Sequence, residues 1–223
     1  EAIRHAKELG FNRIAFITNA IALANEQLFK RFVDAGLNEI LFSLHAARRE
    51  THDSLVGIPA AYDRMMKAMK LAMDYGVIRR TNIAITAQNY KELPEYPSVV
   101  LRYEPENVNF IFFNTWTTSD VEVNKHLVRY AETMPYLTRA IDELESASVK
   151  IAIRYIPYCV VPEPYRKYVV DFLLRPHDPY EWAFPFAAFS EHIADKYSAT
   201  RDPSINVEYE WFKFTNRIRI HWL

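Results

Sequence analysis

"EQLFKRFVDAGLNEILFS", residues 26–43, carries the architecture in eighteen letters. Its first ten residues form an amphipathic helix, and Gly36 stands where that helix needs a left-handed C-terminal cap. The apolar run EILFS (39–43) then reads as a strand. The order is helix, glycine, strand, because glycine takes the left-handed backbone without the steric penalty of a Cβ.

The same order recurs on both sides. Gly10 follows AIRHAKEL and precedes RIAFI (13–17); Gly76 follows DRMMKAMKLAMDY and precedes NIAIT (82–86). A further copy, LTRAIDELESASVKIAIRYI (137–156), has Ala147 and Ser148 where glycine would stand. The strand within NVNFIFFNTW (107–116) follows YPSVVLRYEPE, whose prolines disfavour a long helix. Five core strands are expected, near 13–18, 39–44, 81–86, 108–114 and 150–156. Their near-continuous Ile, Phe and Ala runs suit strands buried on both faces, as in a parallel sheet covered by helices. The expected class is α/β, built of repeated βα units. Past residue 157 the pattern gives way to a Pro- and aromatic-rich region. Residues 1–157 are therefore expected to form the core, and 158–223 an appended lid or docking element.

The 223 residues, half of them hydrophobic, suffice for one sizeable core. Lys and Arg number 27 against 28 Asp and Glu, a balance that argues against nucleic acid as the main partner. No apolar run reaches the roughly 20 residues that span a bilayer, so no membrane partner and a cytoplasmic location are expected. The single cysteine, Cys159, excludes an internal disulfide and any all-cysteine metal site built from this sequence alone. EAIRHAKELG opens without a helix-start signal, and the sequence is expected to be part of a longer chain.

Parallel α/β folds bind ligands at the carboxyl ends of their strands, where the connecting loops converge. The strands here end in Thr18 and Asn19; in Ser43 and His45; in Thr86 and Asn89; in Asn114, Thr115 and Thr117; and in Arg154 and Tyr155. Such a rim of neutral donors and acceptors suits a ribose, an amino acid or a nucleobase better than a naked phosphate. The competing reading is that these side chains cap the helices that follow.

FITNA (16–20), LFKRFVDAGLNEILFSLHA (28–46), ETHDSLVGIPAAYDRMMKAMKLAMDYG (50–76) and RTNIAITAQNYKEL (80–93), taken in order, resemble the later part of a radical S-adenosylmethionine (SAM) enzyme core. The resemblance implies a partial parallel (βα)6 barrel with its first βα units missing. It implies SAM and a 4Fe-4S cluster as cofactors, an electron donor such as flavodoxin or ferredoxin, and a small-molecule or peptide substrate. Carried over by position, it makes Thr18, Asn19, Ser43, His45 and Asn89 the SAM-binding residues. Arg154 and Asn114 are expected on the substrate side, Arg154 because a strand-end arginine can clamp a carboxylate or phosphate.

The resemblance has gaps. Ala20 stands where members carry glycine, so a turn needing positive φ would be strained there. Val56 stands where many carry an arginine for the SAM carboxylate; Arg48 and Arg49 are nearby substitutes or simply solvated helix-start charges. The three-cysteine cluster motif has no counterpart, so cluster ligands are expected upstream of residue 1, with no metal site in this sequence and no activity for the fragment alone. Two other classes stay open: a cluster-less binding or scaffold subunit, and an unrelated βα-barrel enzyme.

Several residues have plainer readings. Thr51 or Asp53 is expected to cap the helix that they begin, with His52 structural beside them or a general base. Met65, Met66, Met69 and Met73 read as core filling. Cys159 reads as a small buried hydrophobe, a radical partner or a ligand of a further cluster. His177, Asp178 and Glu181 lie in a proline-broken run that spoils regular metal-ligand spacing.

Overall fold

A computed structural model describes residues 1–113 and 125–170, and the backbone of 217–221. Six parallel strands form one sheet: β1 Arg13–Thr18, β2 Glu39–Ser43, β3 Ile78–Ile85, β4 Asn107–Phe112, β5 Lys150–Arg154 and β6 Arg217–His221. The sheet order is β5-β4-β3-β2-β1-β6, so the first five strands neighbour one another in chain order. The helices are α1 Ala2–Glu8, α2 Glu26–Ala35, α3 Arg49–Val56, α4 Ala61–Asp74, α5 Tyr96–Val100 and α6 Tyr130–Ser146. The five expected strands are all present, and β6 is an addition that pairs with β1. Between β3 and β4 the proline-bearing segment holds only short pieces: 3-10 turns at Tyr90–Glu95 and Leu101–Tyr103 flanking the single-turn α5.

Register sorts the strand residues onto two faces. Ile14, Phe16, Ile40, Phe42, Ile83, Ile85, Val108, Phe110, Phe112 and Ile153 share one face and join Phe29, Met65, Met69, Leu137 and Ile141 of the helices in the core. Sequential parallel strands with their helices gathered on one face make a barrel wall, as expected. The opposite face corrects the expectation of strands that are apolar on both sides. It carries Arg13 on β1, Glu39 and Ser43 on β2, Arg80 and Asn82 on β3, Asn107 and Asn109 on β4, and Lys150 and Arg154 on β5.

The repeat is visible in the backbone. Gly10, Gly36 and Gly76 each have positive φ, and each helix closes with the same pair of hydrogen bonds, such as Gly36 N–H to Val33 O and Leu37 N–H to Phe32 O. In the further copy Ser148 takes the glycine's place at φ 59°, with the equivalent bonds to Glu145 and from Val149 to Leu144. Of the appended region, residues 158–170 form 3-10 turns that return to β5, where Val170 N–H bonds Ile153 O at 2.9 Å.

Candidate functional site

At the carboxyl end of the sheet β2 stops sharply at Ser43. Leu44 N–H turns back to Phe42 O at 3.1 Å, and the chain leaves the ladder. Its freed polar groups are taken up by side chains. Tyr96 Oη donates to Leu44 O at 3.0 Å, and Asn89 Nδ2 donates to His45 O and to Ala84 O. His45 N–H donates to His52 Nδ1 at 3.1 Å, while His45 Nδ1 accepts from Ala84 N–H, which the departed strand would otherwise have bonded. Farther along the loop, Glu92 accepts from Arg48 N–H and from Thr51 Oγ1, and Tyr62 Oη donates to Ala47 O. The loop is thus bolted at six points by residues of β3, the turn after it, α3, α4 and α5, and Ser43 sits at its base. Both imidazoles accept through Nδ1, so both are neutral with the proton on Nε2. Burial lowers His45; burial and then the neighbouring His45 bring His52 down to about 4 against the pull of Asp53.

The expected site residues divide. Ser43 is half-buried on the inner face, with no hydrogen-bond partner for its hydroxyl among the described residues. Asn19 is exposed and its side chain accepts from Ile21 N–H at 3.3 Å; Thr18 Oγ1 accepts from Ala20 N–H at 3.0 Å. Ala20 has φ 61°, the left-handed turn in which glycine was missed. Asn89 is fully buried and spent: Oδ1 accepts from Thr86 N–H at 2.8 Å and both Nδ2 bonds go to carbonyls, so it shapes the rim through its neighbours' backbone. Arg154 closes β5 and is buried, the register partner of Ile111 on β4. Asn114 lies outside the described residues, as do Thr115, Thr117, His177, Asp178 and Glu181.

Other expectations shift. Asp53 does not cap its own helix: its two oxygens accept Ala60 N–H and Tyr62 N–H at 2.8 and 2.7 Å, capping α4, because Gly57 ends α3 and the chain doubles back. Thr51 serves Glu92. His52 is buried and structural. Arg48 and Arg49 are exposed and pair with Glu95 and Asp63, as solvated charges do. Met65 and Met69 fill the core. Cys159 is exposed, a correction to its reading as a buried hydrophobe: β5 ends at Arg154, and Cys159 is the middle residue of the 3-10 turn Tyr158–Val160 that Pro157 opens.

The residues missed beforehand are inside the strands. They are Asn82 and Asn109, register neighbours on the inner face, with the expected Ser43 beside Asn82 and Ala152 beside Asn109. The only signal was asparagine at every second position, Asn107 and Asn109, within otherwise apolar runs. Below them, at the amino end, charges interlock. Arg80 Nη1 meets Glu39 Oε1 at 2.7 Å with both side chains fully buried, Arg13 bonds Glu39 and Glu106 at 2.8 and 2.6 Å, and Lys150 meets Glu106 at 3.2 Å. Burial pushes Glu106 up, but Arg13 and Lys150 outweigh it and hold the carboxyl at about 2. A neutral rim therefore lies over a charged base.

Among the described residues no group of three or more His, Cys, Asp or Glu side chains could hold a metal ion. With one exposed cysteine, they do not fit an iron-sulfur cluster. The open Ser43 hydroxyl and the neutral rim do fit the polar groups of a nucleoside or amino acid. No helix among the described residues is long and apolar enough to cross a membrane.

Comparison with known proteins bears on residues and fold separately. The sequence model of the radical SAM superfamily matches residues 1–96. A probable GTP 3',8-cyclase of Saccharolobus islandicus (strain Y.N.15.51 / Yellowstone #2) is 33% identical over 94 residues, 42% of this chain but 30% of that protein. Its namesake in Saccharolobus solfataricus (strain P2) is 32% identical over 93 residues, 41% of this chain and 29% of that protein. The chain thus spans about a third of the length of these curated relatives. Streptococcus suis SuiB, solved with S-adenosylmethionine bound, superposes with a TM-score of 0.50 at 18% identity, over 62% of this chain and 32% of that one. That likeness is one of fold.

Proposed function

On the premise that residues 1–96 belong to the radical SAM superfamily, we propose that this chain supplies the SAM-holding rim of a radical SAM enzyme. In that superfamily a 4Fe-4S cluster and SAM together supply radical chemistry. The residues described here do not fit the cluster, so its thiolates, and the docking of a flavodoxin- or ferredoxin-type electron donor, are assigned to residues outside this sequence. What the chain's own residues do is bind and orient. Ser43 offers a hydroxyl to the ribose or amino-acid part of SAM. The turn Thr18-Asn19-Ala20 borders the same pocket with its backbone, and His45 adds an uncharged imidazole. Arg154 and Asn114 are placed on the substrate side. Residues 158–223 are assigned as an appended lid or docking element. The family match ends before β4 and β5, so the substrate named for the relatives is not carried over.

The observation that carries this reading is Ser43: the last residue of β2, on the inner face, with an unspent hydroxyl at the base of a loop fixed by six hydrogen bonds. Rigid support of a free polar group is what a preorganised binding site requires. The test is calorimetric titration of SAM into the intact protein. Ser43→Ala is expected to weaken SAM about tenfold, the loss of one hydrogen bond to a partly charged ligand. Equal affinity in both proteins removes Ser43 from the site.

The single cysteine favours one other reading, a cluster-less binding subunit with the same rim. Anaerobic reconstitution of the intact protein separates the two: iron at about four atoms per chain supports the enzyme, and none supports the subunit.

A further inference from the structure

The inner face holds polar groups that neither the rim nor the charged base uses. Asn109 has no exposed surface, and neither its Nδ2 nor its Oδ1 has a hydrogen-bond partner among the described residues. Asn82, its register neighbour on β3, has a buried Oδ1 in the same condition. Ser43 lies beside Asn82, so the three form one row running across β2, β3 and β4 at the ~4.8 Å spacing of adjacent strands. Ala152 ends the row beside Asn109, and Ala84 stands one step above Asn82 towards the carboxyl end. Ala84 above Asn82 and Ala152 beside Asn109 each leave one side of an amide uncovered by its own sheet, while Ile111 stands above Asn109.

A buried amide left unbonded is costly, and buried polar side chains in native proteins nearly always have partners. Asn89 illustrates the rule in the same molecule: it is equally buried and bonded at both ends. Asn82 and Asn109 break it side by side. We infer that the two amides are a recognition floor for the substrate, and that the group they recognise is neutral and planar, presenting a donor next to an acceptor. Two carboxamides abreast offer an N–H and a C=O to such a group, and they offer no charge to a carboxylate or phosphate. The chemistry is that of an amide-type edge, found in a peptide carboxamide or in the imide edge of a nucleobase. This rests on the proposed function, since it places the substrate under β3 and β4 while Ser43 at the near end of the row serves SAM.

The test uses the intact protein, with Asn109→Leu and Asn82→Leu as variants that keep the same branched heavy-atom skeleton without its polar atoms. Two probes stand for the two sources: N-acetyl-asparagine amide for a peptide carboxamide, with N-acetylaspartate as its control, and uridine for a base edge, with 3-methyluridine as its control. One probe is expected to bind, its control at least about tenfold more weakly, and each leucine variant to lose about tenfold or more. Asn109→Leu should also melt at or above the wild-type temperature, because an unbonded amide is being replaced by an apolar group of its own shape. The inference is overturned if neither probe binds, if binding is unchanged in both leucine variants, or if Asn109→Leu melts several degrees lower, which would mean that the amide has a structural partner. SAM titrated into the same samples separates the two readings. Normal SAM binding with neither probe bound sinks the substrate floor alone, and a bound probe without SAM binding sinks the proposed function alone.

Discussion

Ser148 shows what one side chain costs. It occupies the left-handed position that Gly10, Gly36 and Gly76 occupy in the other copies of the repeat, at φ 59°. A Cβ there is a steric burden that glycine lacks. Ser148→Gly should therefore stabilise the protein by about 0.5–1 kcal/mol, after allowing for the greater freedom of glycine in the unfolded chain; urea unfolding would show it as a raised midpoint with an unchanged slope. His52 makes a second case. Its folded value of about 4 lies below the ordinary histidine value near 6.5, so between those limits the unfolded chain binds the extra proton. The stability from keeping it neutral is complete above pH 6.5 and is lost as the pH falls towards 4. From pH 7 to pH 5 that loss is about 2 kcal/mol. His52→Gln, which can keep an acceptor for His45 N–H, should lose about 2 kcal/mol less over the same interval. Equal losses in the two proteins would show that His52 is not the titrating group.

The loop that follows β2 draws its order from other elements. Tyr96 of α5, Asn89 and Glu92 of the turn after β3, and Tyr62 of α4 hold it, while α3 contributes His52. Asn89 is the pin between two strand ends, since its amide spans His45 O and Ala84 O. Asn89→Ala orphans both carbonyls and Thr86 N–H, and it should cost about 3 kcal/mol in chemical denaturation while also weakening SAM through the loosened loop. Asp53 ties two helices by the same logic. Its carboxylate meets the N-terminus of α4, where the helix dipole and two free N–H groups favour a negative charge. Asp53→Ala should cost about 1–2 kcal/mol, and Asp53→Asn should recover part of it, because the amide oxygen can still accept.

Across the whole barrel wall, stability and binding occupy opposite ends of the strands. At the amino end the fully buried pair of Arg80 and Glu39 is locked into Arg13, Glu106 and Lys150. Removing one partner of a buried pair leaves the other charge uncompensated. Glu39→Gln should lower the unfolding free energy by about 3 kcal/mol and leave SAM affinity in the surviving folded protein within about twofold of wild type. Ser43→Ala, two residues beyond the same strand's middle, should do the reverse. A protein in which both variants moved both quantities would not have this division.

The helix-glycine-strand repeat, the five strands, the parallel α/β class and the strand-end position of Ser43 and Arg154 were all legible in the letters, because helix periodicity and left-handed caps are properties of a few consecutive residues. The partners were not. Thr51 finds Glu92, His45 finds Asn89 and Leu44 finds Tyr96 across 41, 44 and 52 residues of sequence. Asn82 and Asn109 become neighbours only when β3 and β4 take their register, and a shift of one residue would send both amides to the helix-covered face. Local steric preference wrote the elements of this protein into its sequence; long-range register, which no short stretch contains, brought its polar groups together.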